Sequence, residues 1–247
     1  MFCIKKSDVN KRIKDCSGFT FIELAIVMII GGIIISILVG VVPLIFVNDR
    51  VNETREVLAN MDYVLQGYLS VNKRLPCPDT NGNGQENRDD NSSPAVFTDD
   101  SCLAYQGNLP YVTLGIVSDK DVWKNRLYYG VYEDLIQTDN SSFCGDLENF
   151  ITAAATSDPE DPGESGKLYV TSRAVTPNPS INMAYVILSG GLKDFDGSDT
   201  QFDGFNSSTP SHQFECEERF VEDDYDDIVK TRSFSYLYGR LCTGNQW

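Results

Sequence analysis

The chain has 247 residues and a formal net charge of −16 at pH 7, with 36 acidic and 20 basic side chains. One soluble domain is the natural count for this length. So acidic a composition argues against binding to nucleic acid, which requires a basic footprint, and favours solubility or the binding of divalent cations.

The amino terminus combines a short basic leader with a long apolar run. Residues 1–18 carry five basic and two acidic side chains, and the run continues to about Val47. The first charged residues beyond the run are net acidic, so the positive-inside rule predicts a cytoplasmic leader and an exported remainder. The small pair Ser17-Gly18 lies before the run, whereas the cleavage site of a secretory signal lies after it. Cleavage at Gly18 would leave the apolar segment on the mature protein.

Glu23 is a carboxylate inside this apolar segment. An ionised carboxylate at bilayer depth is costly, so an intramembrane acid indicates a functional site with a cationic partner. A single-span anchor with an accidental glutamate is the alternative, and the same cost makes it the weaker interpretation.

The stretch Gly18-Phe19-Thr20-Phe21-Ile22-Glu23-Leu24 with its apolar run resembles the amino-terminal signal of type IV pilins and of the pseudopilins of type II secretion. The resemblance implies that a prepilin peptidase cleaves after Gly18 and methylates the new amino group of Phe19. It also implies that Glu23 pairs with the Phe19 ammonium of a neighbouring subunit during assembly. Two charges that are each expensive in hydrocarbon become tolerable when they neutralise one another.

We expect an α+β fold in which a long amino-terminal helix packs on an antiparallel sheet with long loops. The expected parts are a cleaved leader (1–18), a transmembrane or filament-core helix (19–47), an amphipathic helix (48–71) and a periplasmic β-rich domain (72–247). The amphipathic stripe, which should face the protein's own sheet, comprises Val47, Val51, Thr54, Leu58, Met61, Leu65 and Tyr68, with Val57, Val64 and Val71 alongside and Asp62 among the polar positions.

Four segments of the exported part are rich in Tyr, Val, Ile and Phe and are predicted as strands: 123–132, 168–175, 183–188 and 234–241. No helical crossover of adequate length separates them regularly, which favours antiparallel pairing. The segment Trp123-Lys124-Asn125-Arg126-Leu127-Tyr128-Tyr129 is similar to the Trp-Gly-Asn-x-x-Tyr-Tyr segment that opens the sheet of many pseudopilins, with Lys124 in place of the usual glycine.

Two acidic loops have the composition of calcium sites, although no cofactor is required by the predicted function. In the first, oxygen-bearing side chains follow the spacing of a calcium loop around Gly84: Asp79, Asn81, Asn83, Gln85, Asn87 and Asp90. A solvated turn is the alternative, because Asp90 replaces the usual glutamate and prolines precede the loop. The second loop has poorer spacing, and its candidate ligands are Asp194, Asp196, Asp199 and Asp203.

Five of the seven cysteines would face an oxidising periplasm, so at most two disulfides form within one chain. Cys77 and Cys102 bracket the first acidic loop, and we expect them to pair. Among Cys144, Cys216 and Cys242 the sequence does not choose.

No catalytic motif accompanies the single histidine, His212, and we expect no enzyme. The acidic pairs Asp223-Asp224 and Asp226-Asp227 are interpreted as a solvated face.

The predicted function is therefore that of a minor pilin or pseudopilin, a structural subunit of a type IV pilus or type II secretion pseudopilus. Its partners would be other pilin or pseudopilin subunits, prepilin peptidase, the inner-membrane assembly platform and, before assembly, the membrane itself. Its location would be the bacterial inner membrane, with a single pass, a cytoplasmic amino terminus and a periplasmic domain, and then the filament at the cell surface. The alternatives are a major, repeating pilin and a membrane-anchored binding or catalytic ectodomain.

Overall fold

The computed structural model describes residues 20–88, 101–136, 143–156, 167–171, 180–195, 197, 201–207, 213–217, 219, 221 and 224–243. Within them, three α-helices and seven strands follow one another along the chain. In chain order they are α1 (Phe21–Asn72), β1 (Gln106–Asn108), β2 (Tyr128–Val131), α2 (Phe143–Thr156), β3 (Tyr169–Thr171), β4 (Ser180–Asn182), β5 (Tyr185–Ser189), β6 (Gln213–Glu215), β7 (Ile228–Arg232) and α3 (Phe234–Leu241).

The chain divides into two compact units between Asn48 and Asp49. Helix α1 begins in the first unit and ends in the second, one residue beyond the predicted end. Its last turn closes with Lys73, whose φ of 57° is left-handed and whose amide donates to the Leu69 carbonyl at 2.8 Å. This geometry is typical of a helix carboxyl terminus, and the nearby prolines cannot continue the helix.

The part of α1 in the second unit packs on a sheet, as its apolar stripe predicts. Val51, Leu58 and Leu65 are buried in one core with Tyr185 and Ile187 of strand β5. The same face also buries polar side chains of α1, including Thr54 and Gln66.

Three assignments along the stripe are wrong. Val47 is 38% exposed and lies before Val51, where the buried core begins. Val71 is 79% exposed, because a step of six residues from Leu65 places it about 120° away around the helix. Asp62 is 1% exposed rather than solvated, because it pairs with Arg232 and accepts a hydrogen bond from the Tyr185 hydroxyl at 2.6 Å.

The main sheet has four antiparallel strands in the order β1-β2-β5-β7, which confirms the α+β class with an antiparallel sheet. A second sheet of three strands has the order β4-β3-β6. Its β3–β4 pair is antiparallel, but its β3–β6 pair is parallel, which the sequence analysis did not predict. The loop that follows β5 and the turn that precedes β7 meet at one end of the main sheet, because Ser189, the last residue of β5, pairs with Ile228, the first residue of β7.

The predicted strand at 234–241 is wrong, because this segment is helix α3. Ser233 caps the helix by accepting a hydrogen bond from the Tyr236 amide at 3.3 Å. Phe234 and Leu237, three residues apart, are both buried, which is helical spacing. The aromatic residues favour a strand by propensity, and the cap together with packing against α2 overrides that preference.

The other predicted strands are shorter than expected. Only Tyr128–Val131 of the first is extended, because Lys124 lies in a turn with a φ of 74°. That left-handed conformation suits glycine, the residue usual at this position in the pseudopilin segment that the sequence resembles. Strands β1, β4, β6 and β7 and helix α2 were not predicted, and residues 172–175 lie outside the described residues.

Candidate functional site

The described part of the chain begins with a capped helix that carries the predicted assembly carboxylate. The Thr20 hydroxyl accepts a hydrogen bond from the Glu23 amide at 3.3 Å, and it donates towards the Glu23 carboxylate at 3.5 Å. This is one half of a capping box, read directly from the order Thr-x-x-Glu. Glu23 is exposed in the first turn of α1, where the helix dipole favours a negative charge. Gly18 and Phe19 lie outside the described residues.

The segment that contains Glu23 is long and apolar enough to cross a membrane. It comprises Phe21–Leu38, and none of it is buried within the protein. Large apolar side chains such as Phe21, Met28 and Ile29 are between 64% and 89% exposed. Such a surface requires lipid or the apolar side chains of other chains around it.

Comparison with known protein families gives one match, over the same region. A sequence model of the prokaryotic N-terminal methylation motif matches residues 13–39. The chain carries the signal of a pilin- or pseudopilin-type precursor. Comparisons with curated proteins and with solved structures found no match. The pilin-type signal indicates a structural subunit that is processed by a peptidase, assembles with other pilin-type subunits and is anchored in a membrane by its apolar helix.

The first acidic loop of this precursor is organised around the buried carboxylate of Asp79. One oxygen of Asp79 accepts hydrogen bonds from the amides of Asn81 and Gly82 at 3.2 and 2.7 Å, and the other accepts from Gly84 at 2.8 Å. The Arg126 guanidinium lies 3.7 Å from the second oxygen. Gly84 has a φ of 81°, and a Cβ there would approach Tyr111 to 2.3 Å, so only glycine fits.

Three more of the predicted ligands of this loop bond to its backbone, and a fourth, Gln85, is exposed. Asn81 accepts from the Asn83 amide at 3.0 Å, Asn83 from the Gln85 amide at 2.8 Å, and Asn87 from the Thr80 amide at 2.7 Å. These contacts are turn chemistry, in which side-chain oxygens fix the local chain. Asp90 lies outside the described residues, and calcium binding by this loop stays a prediction.

Glu86, inside the same loop, is a structural residue that the sequence analysis did not single out. Its carboxylate forms a two-pronged ion pair with Arg74, both contacts being 2.8 Å, and accepts from the Cys77 amide at 3.2 Å. Burial opposes its ionisation, but the Arg74 contacts outweigh burial and lower the pKa of Glu86. Glu86 is the eighth residue of the acidic loop, and nothing in the sequence indicates that it forms a structural ion pair.

The cysteines that follow helix α1 form two disulfides among the described residues. Cys77 pairs with Cys102, as the sequence favoured, and this bond lies beside the first acidic loop. Cys144 pairs with Cys242 and so joins the start of α2 to the end of α3. Cys216 forms no disulfide.

Of the two predicted ligands of the second acidic loop that the structure describes, one belongs to a cluster of carboxylates. Asp194 is exposed and accepts from the Gly197 amide at 2.8 Å, whereas Asp203 is fully buried. Asp196 and Asp199 lie outside the described residues, as does His212. Asp203 lies beside Asp226 and Asp227, and these three carboxylates have oxygens within 4.8 Å of one another.

The interpretation of Asp226 and Asp227 as a solvated face is wrong. They are 7% and 2% exposed, because they lie directly before strand β7 at the point where the main sheet meets the loop that follows β5. Asp224 is exposed, as expected. Nothing in the local sequence distinguishes these two acids from the exposed Asp224, because their burial depends on the loop that packs against them.

Burial dominates the electrostatics of this acidic cluster. It raises the pKa of Asp227 to about 8, and the neighbouring charges of Asp203 and Asp226 act in the same direction, against a hydrogen bond from Asn206. Burial likewise raises the pKa of Asp226, against hydrogen bonds from two backbone amides. The site therefore penalises its own negative charge.

Proposed function

We propose that the chain is a minor pilin or pseudopilin, a structural subunit inserted through its amino-terminal helix into a type IV pilus or a type II secretion pseudopilus. The match to the methylation motif over residues 13–39 carries this proposal. The exposed carboxylate of Glu23 at the start of an unburied apolar helix supports it. A prepilin peptidase cleaves after Gly18 and methylates the amino group of Phe19.

Assembly is driven by the neutralisation of Glu23. In the membrane this carboxylate is costly, and the Phe19 ammonium of an adjoining subunit is the nearest source of an opposite charge in a filament of identical or related signals. The basic leader keeps the amino terminus in the cytoplasm before cleavage, and the domain that follows α1 is exported to the periplasm. The inner-membrane assembly platform then moves the subunit from the membrane to the filament.

A minor role fits the exported part better than a major one. It contains long acidic loops and two sheets, a bulk that a tightly repeating lattice accommodates poorly. A few copies at the tip of the filament, or priming its assembly, impose no such restriction.

The test is the substitution Glu23→Gln in the native host, with Glu53→Gln as the matched control. Glu53 is an exposed glutamate of the same helix beyond the apolar segment. We expect Glu23→Gln to lower incorporation into filaments at least tenfold, because the isosteric amide cannot neutralise an ammonium, while cleavage and methylation persist. Glu53→Gln should assemble as the wild type does.

Immunoblots of sheared filaments measure incorporation, and mass spectrometry of the mature amino terminus measures processing. An uncleaved amino end in the native host would refute the proposal. Normal assembly of Glu23→Gln would refute the role of Glu23 in assembly. Absence of the wild-type chain from filaments would favour an anchored ectodomain, and a copy number equal to that of the main filament protein would favour a major pilin.

A further inference from the structure

Three buried carboxylates meet where the loop after β5 reaches the turn before β7. Asp203 is 0% exposed, Asp226 7% and Asp227 2%, and each offers an oxygen within 4.8 Å of the other two. Carboxylates are rarely buried without a compensating charge, since removing an anion from water costs several kcal/mol.

Hydrogen bonds from the protein hold one oxygen of Asp226 and one oxygen of Asp227, the two carboxylates in the turn before β7. Oδ2 of Asp226 accepts from the amides of Leu192 and Lys193 at 2.8 and 2.9 Å. Oδ2 of Asp227 accepts from the Asp203 amide and from the Asn206 side chain, both at 2.8 Å. These contacts hold the two side chains in one orientation, as supporting hydrogen bonds do for the ligands of a metal.

The other side of the Asp226 and Asp227 carboxylates has no partner among the described residues. Within that part of the chain, Oδ1 of Asp226 and Oδ1 of Asp227 are buried and accept no hydrogen bond. A buried polar atom without a partner is uncommon and destabilises the fold, more so when it is charged, so it indicates a missing ion or group.

No basic side chain compensates the cluster within the described residues. Arg219 pairs with Glu215 and stacks on Tyr225, and Lys230 pairs with Glu217. The ion pairs of the described chain include none to Asp203, Asp226 or Asp227. Gly191 leaves space beside Oδ1 of Asp226, because a Cβ at position 191 would lie 2.3 Å from that oxygen.

We propose that Asp203, Asp226 and Asp227 bind a divalent cation of the calcium class, with Oδ1 of Asp226 and Oδ1 of Asp227 as two of its ligands. Hard cations prefer oxygen ligands, and Ca²⁺ accepts the irregular geometry that a loop provides. The bound ion neutralises the cluster and ties the loop after β5 to the turn before β7. This site is separate from the loop of Asp79, and its occupancy is independent of the proposed role in a filament.

The test is thermal melting of the full chain in detergent, first in EDTA and then with CaCl₂. We expect a rise in Tm of about 5–10 °C at 100 times the Kd, and one Ca²⁺ fewer per chain by equilibrium dialysis in Asp227→Asn and in Asp226→Asn. In EDTA each variant should melt no lower than the wild type, because the amide keeps the shape and removes a buried charge. Each should also lose the response to calcium.

Two control variants test whether calcium binds at this cluster or elsewhere in the chain. Asp224→Asn changes a neighbouring acid whose side chain is 69% exposed, and Asn83→Ala removes a predicted ligand of the first acidic loop. Both should keep the full rise in Tm. The proposal is overturned if the wild type neither binds nor responds to calcium, if Asp226→Asn and Asp227→Asn respond as the wild type does, or if Asn83→Ala alone abolishes the response.

Discussion

A single side chain, that of Glu86, stabilises the folded domain that follows the apolar segment. Its carboxylate connects the loop of Asp79 to Arg74, which follows the end of helix α1, and to the amide of Cys77 in the first disulfide. Its side chain is 18% exposed and that of Arg74 is 14% exposed, so water screens the pair only partly. A charge-assisted contact of this kind contributes more than a surface ion pair.

Glu86→Gln should therefore destabilise the chain in a pH-dependent manner. The pKa of Glu86 is lowered in the folded state, so its contribution is fully present above the ordinary pKa of about 4.5 and is lost as the pH falls through the folded value. We expect a loss of about 1.5–3 kcal/mol at pH 7 that disappears in strong acid. Urea denaturation between pH 3 and 7 measures it. Glu148→Gln, an exposed glutamate in α2, should leave the curve unchanged at every pH; a deficit in Glu86→Gln that is constant with pH would contradict the assignment.

At the scale of elements, the contact between α1 and the main sheet depends on a polar connection within an apolar interface. Asp62 of α1 pairs with Arg232 at the end of β7 and accepts from the Tyr185 hydroxyl of β5. The two helical residues around it that face the same core, Leu58 and Leu65, are 1% and 0% exposed. Asp62 therefore fixes which turn of the helix meets which strand, whereas the leucines supply most of the buried apolar area.

Asp62→Ala should cost about 3–5 kcal/mol, because it removes the closest ion-pair partner of the largely buried Arg232 guanidinium and leaves the 4.0 Å contact with Glu217. Replacing both residues, as Asp62→Leu with Arg232→Met, should recover most of that loss, since no unpaired charge remains. Chemical denaturation of the wild type, Asp62→Leu, Arg232→Met and the double variant closes the cycle and gives the coupling energy of the pair. Glu56→Ala, an exposed acid of the same helix, should change stability by less than about 0.5 kcal/mol. Additive effects of the two substitutions would disprove the coupling.

Helix α3 is an element whose secondary structure the local residue propensities predict wrongly. The segment 234–241 contains aromatic residues typical of strands, and it was predicted as one. Its helical form depends on Ser233 as a cap and on contacts with α2, to which the bond between Cys144 and Cys242 joins it. The contacts with α2 and the disulfide involve residues distant in sequence, so a pattern within the segment cannot reveal them.

For the whole molecule, the division between Asn48 and Asp49 separates the apolar part of α1 from the part that belongs to the domain core. Residues 49–247 should fold without the apolar segment, because the core begins at Val51. Residues 73–247 should not fold, because they lack Leu58, Leu65 and Leu69, each of which is 1% exposed or less.

Cooperative thermal unfolding, followed by circular dichroism, distinguishes these two fragments. The loss of three buried leucines corresponds to several kcal/mol by the cost of single large-to-small changes, about 2–5 kcal/mol each, which exceeds the stability of many domains. A cooperative transition in residues 73–247 would show that α1 is dispensable for the core. The absence of one in residues 49–247 would show that the domain needs the apolar segment.

The sequence by itself determined the amino-terminal signal, the apolar segment, the long helix and the presence of an antiparallel sheet. These features are local patterns: a glycine and a carboxylate at fixed spacing, a run of apolar residues, a helical period and β-rich segments. The pairing of Cys77 with Cys102 was also accessible, because the two residues bracket one loop.

Only the tertiary structure decided the roles of the acids. Asp62, Asp226 and Asp227 are indistinguishable in sequence from the solvated acids beside them, and burial depends on which distant strand or loop covers each one. The same reason accounts for the order of the strands, the second disulfide and the meeting of Asp203 with the turn before β7. Contacts between residues far apart in the chain are set by the packing of the whole domain, and no local pattern encodes them.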